Sequence, residues 1–160
     1  FDFDSSPFDV VIGSGYKWLL AGFGNAYISF SNNFFLKTNS SAELIYEKVY
    51  SGHINYTGAA SLNFAINFLQ KNNFNSLIKR KKELSSLLKD ELDELGLINP
   101  LVKKRKLHSG IYNIPGQDNL HKKLTENGIR FAIRGEGIRV SVHFYNNISD
   151  IEKLIKVLKN

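Results

Sequence analysis

Apolar residues in this chain come in short runs and in longer stripes, and the two patterns predict different elements. Residues 9–12 (DVVI) and 25–30 (NAYISF) are compact runs that read as strands. Between them lies GSGYKWLLAGFG, residues 13–24, a glycine-rich connection. Residues 31–57 are polar and irregular, with one possible helical turn near SAELIYEKVY. From Gly58 to Gln70 the period changes to three and four, so that Ala59, Leu62, Ala65, Ile66 and Leu69 share one helix face. NNFN at 72–75 interrupts the pattern.

A second stripe of Leu77, Leu84, Leu87, Leu88, Leu92 and Leu95 predicts a helix from Ser76 to Leu95, capped by Asn75 or Ser76 and ended by Gly96. Its basic start and acidic end oppose the helix dipole. Residues 106–114 (KLHSGIYNI) read as a strand closed by PGQD, followed by a short helix over 118–127 with Gly128 as its stop. Two strands follow, 129–133 and 138–144, joined tightly through RGEG. SDIE at 149–152 predicts a capping box that opens a last helix, with Ile151, Leu154, Ile155 and Leu158 as its buried stripe. Helix, strand, helix, hairpin, helix is the order of a small α+β layer with a mostly antiparallel sheet. The first half has too few strands to close a sheet and reads as the end of a larger α/β domain. The expected division is 1–75 and 76–160.

Composition narrows the chemistry. The chain has 160 residues, 42% of them hydrophobic, enough for a core. It has no cysteine, which removes disulfides, cysteine-ligated metals and thiol nucleophiles from this stretch. The four histidines lack metal-ligand spacing, and no metal is expected. No apolar run is long enough to cross a membrane and no signal peptide is visible, so a cytoplasmic setting without membrane contact is the expectation. The formal charge of +6 is concentrated in Lys79-Arg80-Lys81-Lys82 and Lys103-Lys104-Arg105-Lys106. Without a nucleic-acid motif beside them, and with acidic residues close after the first, these runs read as solvated faces, and no nucleic-acid partner is expected.

Lys17 stands apart. Gly13, Ser14 and Gly15 precede it, and Trp18, Leu19 and Leu20 follow. That setting suits a lysine held in a closed pocket for chemistry. A lysine amine condenses with an aldehyde as the free base, and a desolvated or cation-rich site supplies that form. The aldehyde of amino-acid chemistry is pyridoxal phosphate. Ser14 and Tyr16 offer hydroxyls to a phosphate, and the glycines let backbone N–H groups approach it.

DVVIGSGYKWLLAGFGNAYISF resembles the lysine segment of the class V aminotransferase-like group of fold-type I pyridoxal-phosphate enzymes, which includes cysteine desulfurases, kynureninases and isopenicillin-epimerase-like proteins. The common family pattern is Ser-Gly-His-Lys; here it is Ser14-Gly15-Tyr16-Lys17. YSGHINYTGAASLNFAINFL resembles the family's Gly-Thr-Pro-Asn segment and its helix, with His53 in the place of the threonine and Asn55 matching the asparagine. GIRVSVHFYNNISDIEKLIKVL resembles the closing strand and helix, where the family arginine grips the substrate carboxylate; it maps to Arg139. Alternation places Ile138, Val140, Val142 and Phe144 on one face and Arg139, Ser141 and His143 on the other.

The resemblance implies a fold: the end of the large α/β/α cofactor domain, then a small α+β C-terminal domain. It implies pyridoxal 5'-phosphate as cofactor, Lys17 as the Schiff-base lysine and α-proton base, and cofactor contacts from Ser14, Tyr16, His53 and Asn55. It also implies a small amino-acid substrate held by Arg139, and a homodimer with shared active sites. Each residue has a plain alternative: a surface lysine, a solvent-facing strand arginine, a structural loop histidine. The stretch before Arg139 lacks the cysteine of the desulfurases, which leaves transamination, epimerisation or lyase chemistry. The chain begins at Phe1 without methionine, and the family's pyridine-nitrogen aspartate would precede it; Asp2, Asp4 and Asp9 are too near the lysine to replace it. The expectation is a C-terminal portion, inactive alone. The competing class is a degenerate module binding an anionic partner through its basic runs.

Overall fold

The computed structural model describes residues 6–50, 52–116 and 118–159, so Phe1, Asp2, Asp4, Ser51 and Gln117 of the sequence reading lie outside the described residues. The chain divides into two compact units, 1–72 and 73–160.

In the first unit, β1 (Val10–Ser14) and β2 (Ala26–Phe30) pair antiparallel, in register from Val10 opposite Phe30 to Ser14 opposite Ala26. The lysine segment is the connection between them. Residues 31–57 correct the irregular expectation, for they carry α1 (Asn32–Thr38) and α2 (Ala42–Val49). These helices are too short to show an apolar period, and neither buries a residue. Caps define them instead. Ser31 Oγ accepts from Phe34 N at 3.1 Å and Ser41 Oγ from Leu44 N at 3.2 Å. Asp9 secures the first cap: its Oδ1 accepts from Ser31 Oγ (3.0 Å) and Asn33 Nδ2 (3.1 Å), and its Oδ2 meets Lys37 Nζ at 3.0 Å.

The third helix, α3 (Tyr56–Lys71), starts two residues before Gly58, because Asn55 Oδ1 caps it by accepting from Gly58 N at 3.0 Å. Gly58, Ala65 and Leu69 are buried, whereas Ala59 and Ile66 of the expected stripe are exposed.

The second unit holds the main core. Its long helix α4 (Phe74–Glu94) is capped by Asn73, two residues earlier than expected, with Oδ1 accepting from Ser76 N at 3.3 Å. It ends before Gly96, whose φ of +68° turns the chain out of the helix. A four-residue α5 (Pro100–Lys103), too short to leave a periodic signal, is set by Pro100 and the Asn99 cap. Next come β3 (Ile111–Pro115), α6 (Asp118–Glu126), β4 (Ala132–Arg134), β5 (Gly137–Ser141) and α7 (Ile148–Lys159). The sheet order is β3-β5-β4, antiparallel throughout. Leu84, Leu88 and Leu92 of α4, Ile114 of β3, Ile138 and Val140 of β5, and Ile151, Leu154 and Ile155 of α7 form one core with Leu124.

Three expectations for this unit need correction. The strand expected from 106 begins at Ile111. The last helix is capped by Asn147, not Ser149: Asn147 Oδ1 accepts from Asp150 N and Asp150 Oδ2 accepts from Asn147 N, both at 3.1 Å. This is the reciprocal box shifted two residues upstream. And β5 ends at Ser141, so the alternation does not reach His143. His143 N donates to Asn146 Oδ1 at 2.9 Å in the turn that follows, and its ring is buried against Tyr145, 4.5 Å between centroids. It does not share the exposed face of Arg139.

The reversed charge of α4 has a cause in packing. Arg80 donates through Nε to Phe144 O and through Nη2 to Asn146 O, both at 2.9 Å, and Lys81 Nζ donates to Ser109 O. Burial lowers the Lys81 pKa, with a smaller push from Lys82. These cations satisfy loop carbonyls within the unit.

Candidate active site

Lys17 lies on a loop held shut by its own backbone. Gly15 N donates to Asn25 O at 3.3 Å, Ala21 N to Gly15 O at 2.9 Å, and Leu20 N to Lys17 O at 3.1 Å. Asn25 threads the base of the loop, its Nδ2 donating to Ala21 O at 2.8 Å and Gly22 O at 3.3 Å. Gly15 is buried against it, and a Cβ there would stand 1.9 Å from Asn25 Oδ1, so no larger residue fits without breaking the staple.

A second tie comes from α3. Asn55 Nδ2 donates to Gly24 O at 3.0 Å while Oδ1 caps the helix. A Cβ on Gly58 would meet Gly24 O at 2.6 Å, so the helix start and the loop are in backbone contact. Asn55, read from the sequence as a cofactor residue, is placed here as the link between loop and helix. One of its amide hydrogens remains for another acceptor.

Within this frame Ser14 closes β1 and is half-buried, while Tyr16 and Lys17 are exposed. Lys17 Nζ stands over the Tyr16 ring, 5.1 Å from its centroid, and Tyr16 stacks on Phe23 at 5.3 Å. The closed setting expected for the lysine is not built by the described residues. Among them no carboxylate forms an ion pair with Lys17. His53 is exposed in the turn before α3. The structure thus brings Ser14, Tyr16, Lys17 and Asn55 to one loop and its anchor. The donor set suits an anionic aldehyde: one amine, two hydroxyls, and no acidic residue between Gly13 and Asn25.

Arg139 belongs to the second unit. It lies at the middle of β5, exposed, opposite Asn113 on one side and Ala132 on the other. It lines a cavity of about 480 Å³ with Arg105, His108 and Asn113. Sequence reasoning missed Asn25 and Asp9 as supports. Their signal was weak: single polar residues beside a glycine loop and at a strand start.

No family model matches the chain. An uncharacterized aminotransferase of Schizosaccharomyces pombe is 33% identical over 103 residues, 61% of this chain and 25% of that protein. Among solved structures, a cysteine desulfurase from Thermococcus onnurineus superposes with a TM-score of 0.71 at 19% identity, covering 94% of this chain and 46% of its own. A NifS-like protein from Rickettsia africae gives 0.70 at 21%, covering 94% and 46%. The 8-amino-7-oxononanoate synthase of Francisella tularensis gives 0.65 at 17%, covering 93% and 44%. The chain has the fold of the C-terminal part of these solved proteins. The chain spans a quarter of the curated relative and under half of each of these structures. The class V resemblance of the lysine, helix and closing segments agrees with that likeness.

Proposed function

We propose that this chain is the C-terminal portion of a pyridoxal-phosphate-dependent enzyme acting at the α-carbon of an amino acid, with Lys17 as its Schiff-base lysine. The observation that carries the reading is the presentation of Lys17 on a loop stapled by Asn25 and anchored by Asn55, within the fold of such enzymes. The cofactor, when bound, supplies an electron sink for the carbanion at the substrate α-carbon. Lys17 Nζ would hold its aldehyde carbon and, as a free amine, would serve as the base at the substrate α-proton. Ser14 and Tyr16 donate to the phosphate. His53 donates to the phosphate of the neighbouring subunit in a homodimer with shared sites. Arg139 takes the substrate carboxylate through two parallel hydrogen bonds. The reaction is a transamination, an epimerisation or a lyase step; persulfide chemistry through a cysteine of this stretch is excluded by the sequence.

The test is chemical. The full-length protein is loaded with pyridoxal phosphate, reduced with borohydride, digested and weighed by mass spectrometry. The expected result is a pyridoxyl adduct on the peptide carrying Lys17, absent in Lys17→Ala. A folded protein with no adduct at Lys17 overturns the reading. The anionic-partner alternative has less to work with, because Arg80, Lys81 and Lys103 are engaged within the second unit, Lys103 with Asp93 at 2.8 Å.

A further inference from the structure

The cavity that Arg139 lines is cationic. It is bounded by α5, the segment after it, β3 and β5, all in the second unit, and its volume of about 480 Å³ is within the range of small-molecule sites. Two arginines line it, Arg105 and Arg139, and none of its lining residues is acidic. Four further cavities among the described residues each include at least one Asp or Glu. Among the described residues neither guanidinium is paired with a carboxylate. Two like charges facing one cavity without a counter-charge repel, and an occupant bearing two negative charges removes that cost.

The backbone that carries Arg105 is held in place. Arg105 N donates to Val102 O at 3.1 Å, and His108 Nε2 donates to Arg105 O at 3.0 Å. The His108 ring stacks on Tyr112, 5.8 Å between centroids at 28°. Tyr112 is anchored in the core, its hydroxyl donating to Ser85 O at 2.9 Å. A buried tyrosine therefore fixes a histidine, which fixes the turn bearing the second arginine. Arg139 sits on the facing strand, directly across from Asn113. The second cation is thus carried on a preorganised segment, the condition under which an arginine contributes most to binding.

We propose that this cavity takes a second acidic group of the substrate: Arg139 holds the α-carboxylate and Arg105 the side-chain carboxylate, so that the substrate class is dicarboxylic amino acids. The inference rests on the reading of Arg139 given under the proposed function. Arg105 is then a specificity-determining residue. It favours substrates with an acidic side chain and leaves apolar amino acids to a single arginine.

The two-arginine arrangement is tested by titrating the full-length protein with glutarate and with butyrate at fixed ionic strength, following binding by calorimetry. The expected result is at least about tenfold tighter binding of glutarate, the scale of one charge-assisted pair. Arg105→Gln should abolish that preference while leaving butyrate binding unchanged. Arg139→Gln should weaken both. Lys106→Gln removes the same charge from outside the cavity lining and should leave the preference intact. Equal binding of the two acids, no binding of either, or a preference lost equally in Arg105→Gln and Lys106→Gln overturns the inference. The borohydride experiment involves neither arginine, so the two proposals fail separately: an adduct at Lys17 with no glutarate preference removes only the dicarboxylate assignment.

Discussion

Asp9 shows how much one side chain can organise. It accepts from Ser31, Asn33 and Lys37 at once and so ties the start of β1 to the first turn and the end of α1. The Lys37 hydrogen bond first, and the Ser31 hydrogen bond next, hold its carboxyl below the usual carboxylate range. A carboxylate with a lowered folded-state pKa stabilises fully above its unfolded-state value and loses that contribution as pH falls through the folded value. Asp9→Asn should therefore lower the urea midpoint of the first unit at neutral pH. The gap to the unsubstituted protein should close on acidification below the usual carboxylate range. Trp18, the single tryptophan, lies in this unit and reports its unfolding by fluorescence. A gap that persists undiminished in acid would sink the assignment.

At the scale of elements, caps decide boundaries that periodicity leaves open. The last helix has an unambiguous stripe, yet its start depends on which of several polar residues turns inward. Asn147 and Asp150 exchange hydrogen bonds, and Ser149 Oγ instead donates to Asn147 Oδ1 at 2.6 Å. Asn147→Ala should cost about 1 kcal/mol in denaturant unfolding, and Ser149→Ala markedly less. The reverse ranking would restore the cap read from SDIE. The same logic applies to α4: its cations at the start work against the dipole, and their hydrogen bonds to Phe144, Asn146 and Ser109 offset that cost.

At the scale of the whole molecule the two units are unequally filled. The apolar cluster of α4, the three-stranded sheet, α6 and α7 lies entirely within 73–160. In the first unit large apolar side chains such as Ile12, Phe23, Leu36 and Phe64 are more than two-thirds exposed. Residues 73–160 expressed alone should give a cooperative thermal transition. Leu92→Ala, at a fully buried position, should destabilise that piece by about 2–5 kcal/mol. A piece that melts without cooperativity would show that its core needs the first unit.

The sequence by itself determined the strand pair around Lys17, the stripes of α4 and α7, and the closing hairpin. Each is a repeating pattern on one element, and burial of one face selects it locally. It also carried the family resemblance, because the lysine, helix and closing segments are contiguous. What it left open were α1, α2 and α5, which are too short to show a period, and the exact caps, where adjacent Asn and Ser residues are locally equivalent. Only the tertiary structure decided which distant atoms meet: Asn55 against Gly24, Arg80 against Phe144, and Arg105 in one cavity with Arg139. Those pairings join residues up to 64 positions apart. No local pattern encodes them, because chain closure and packing of the whole unit bring them together.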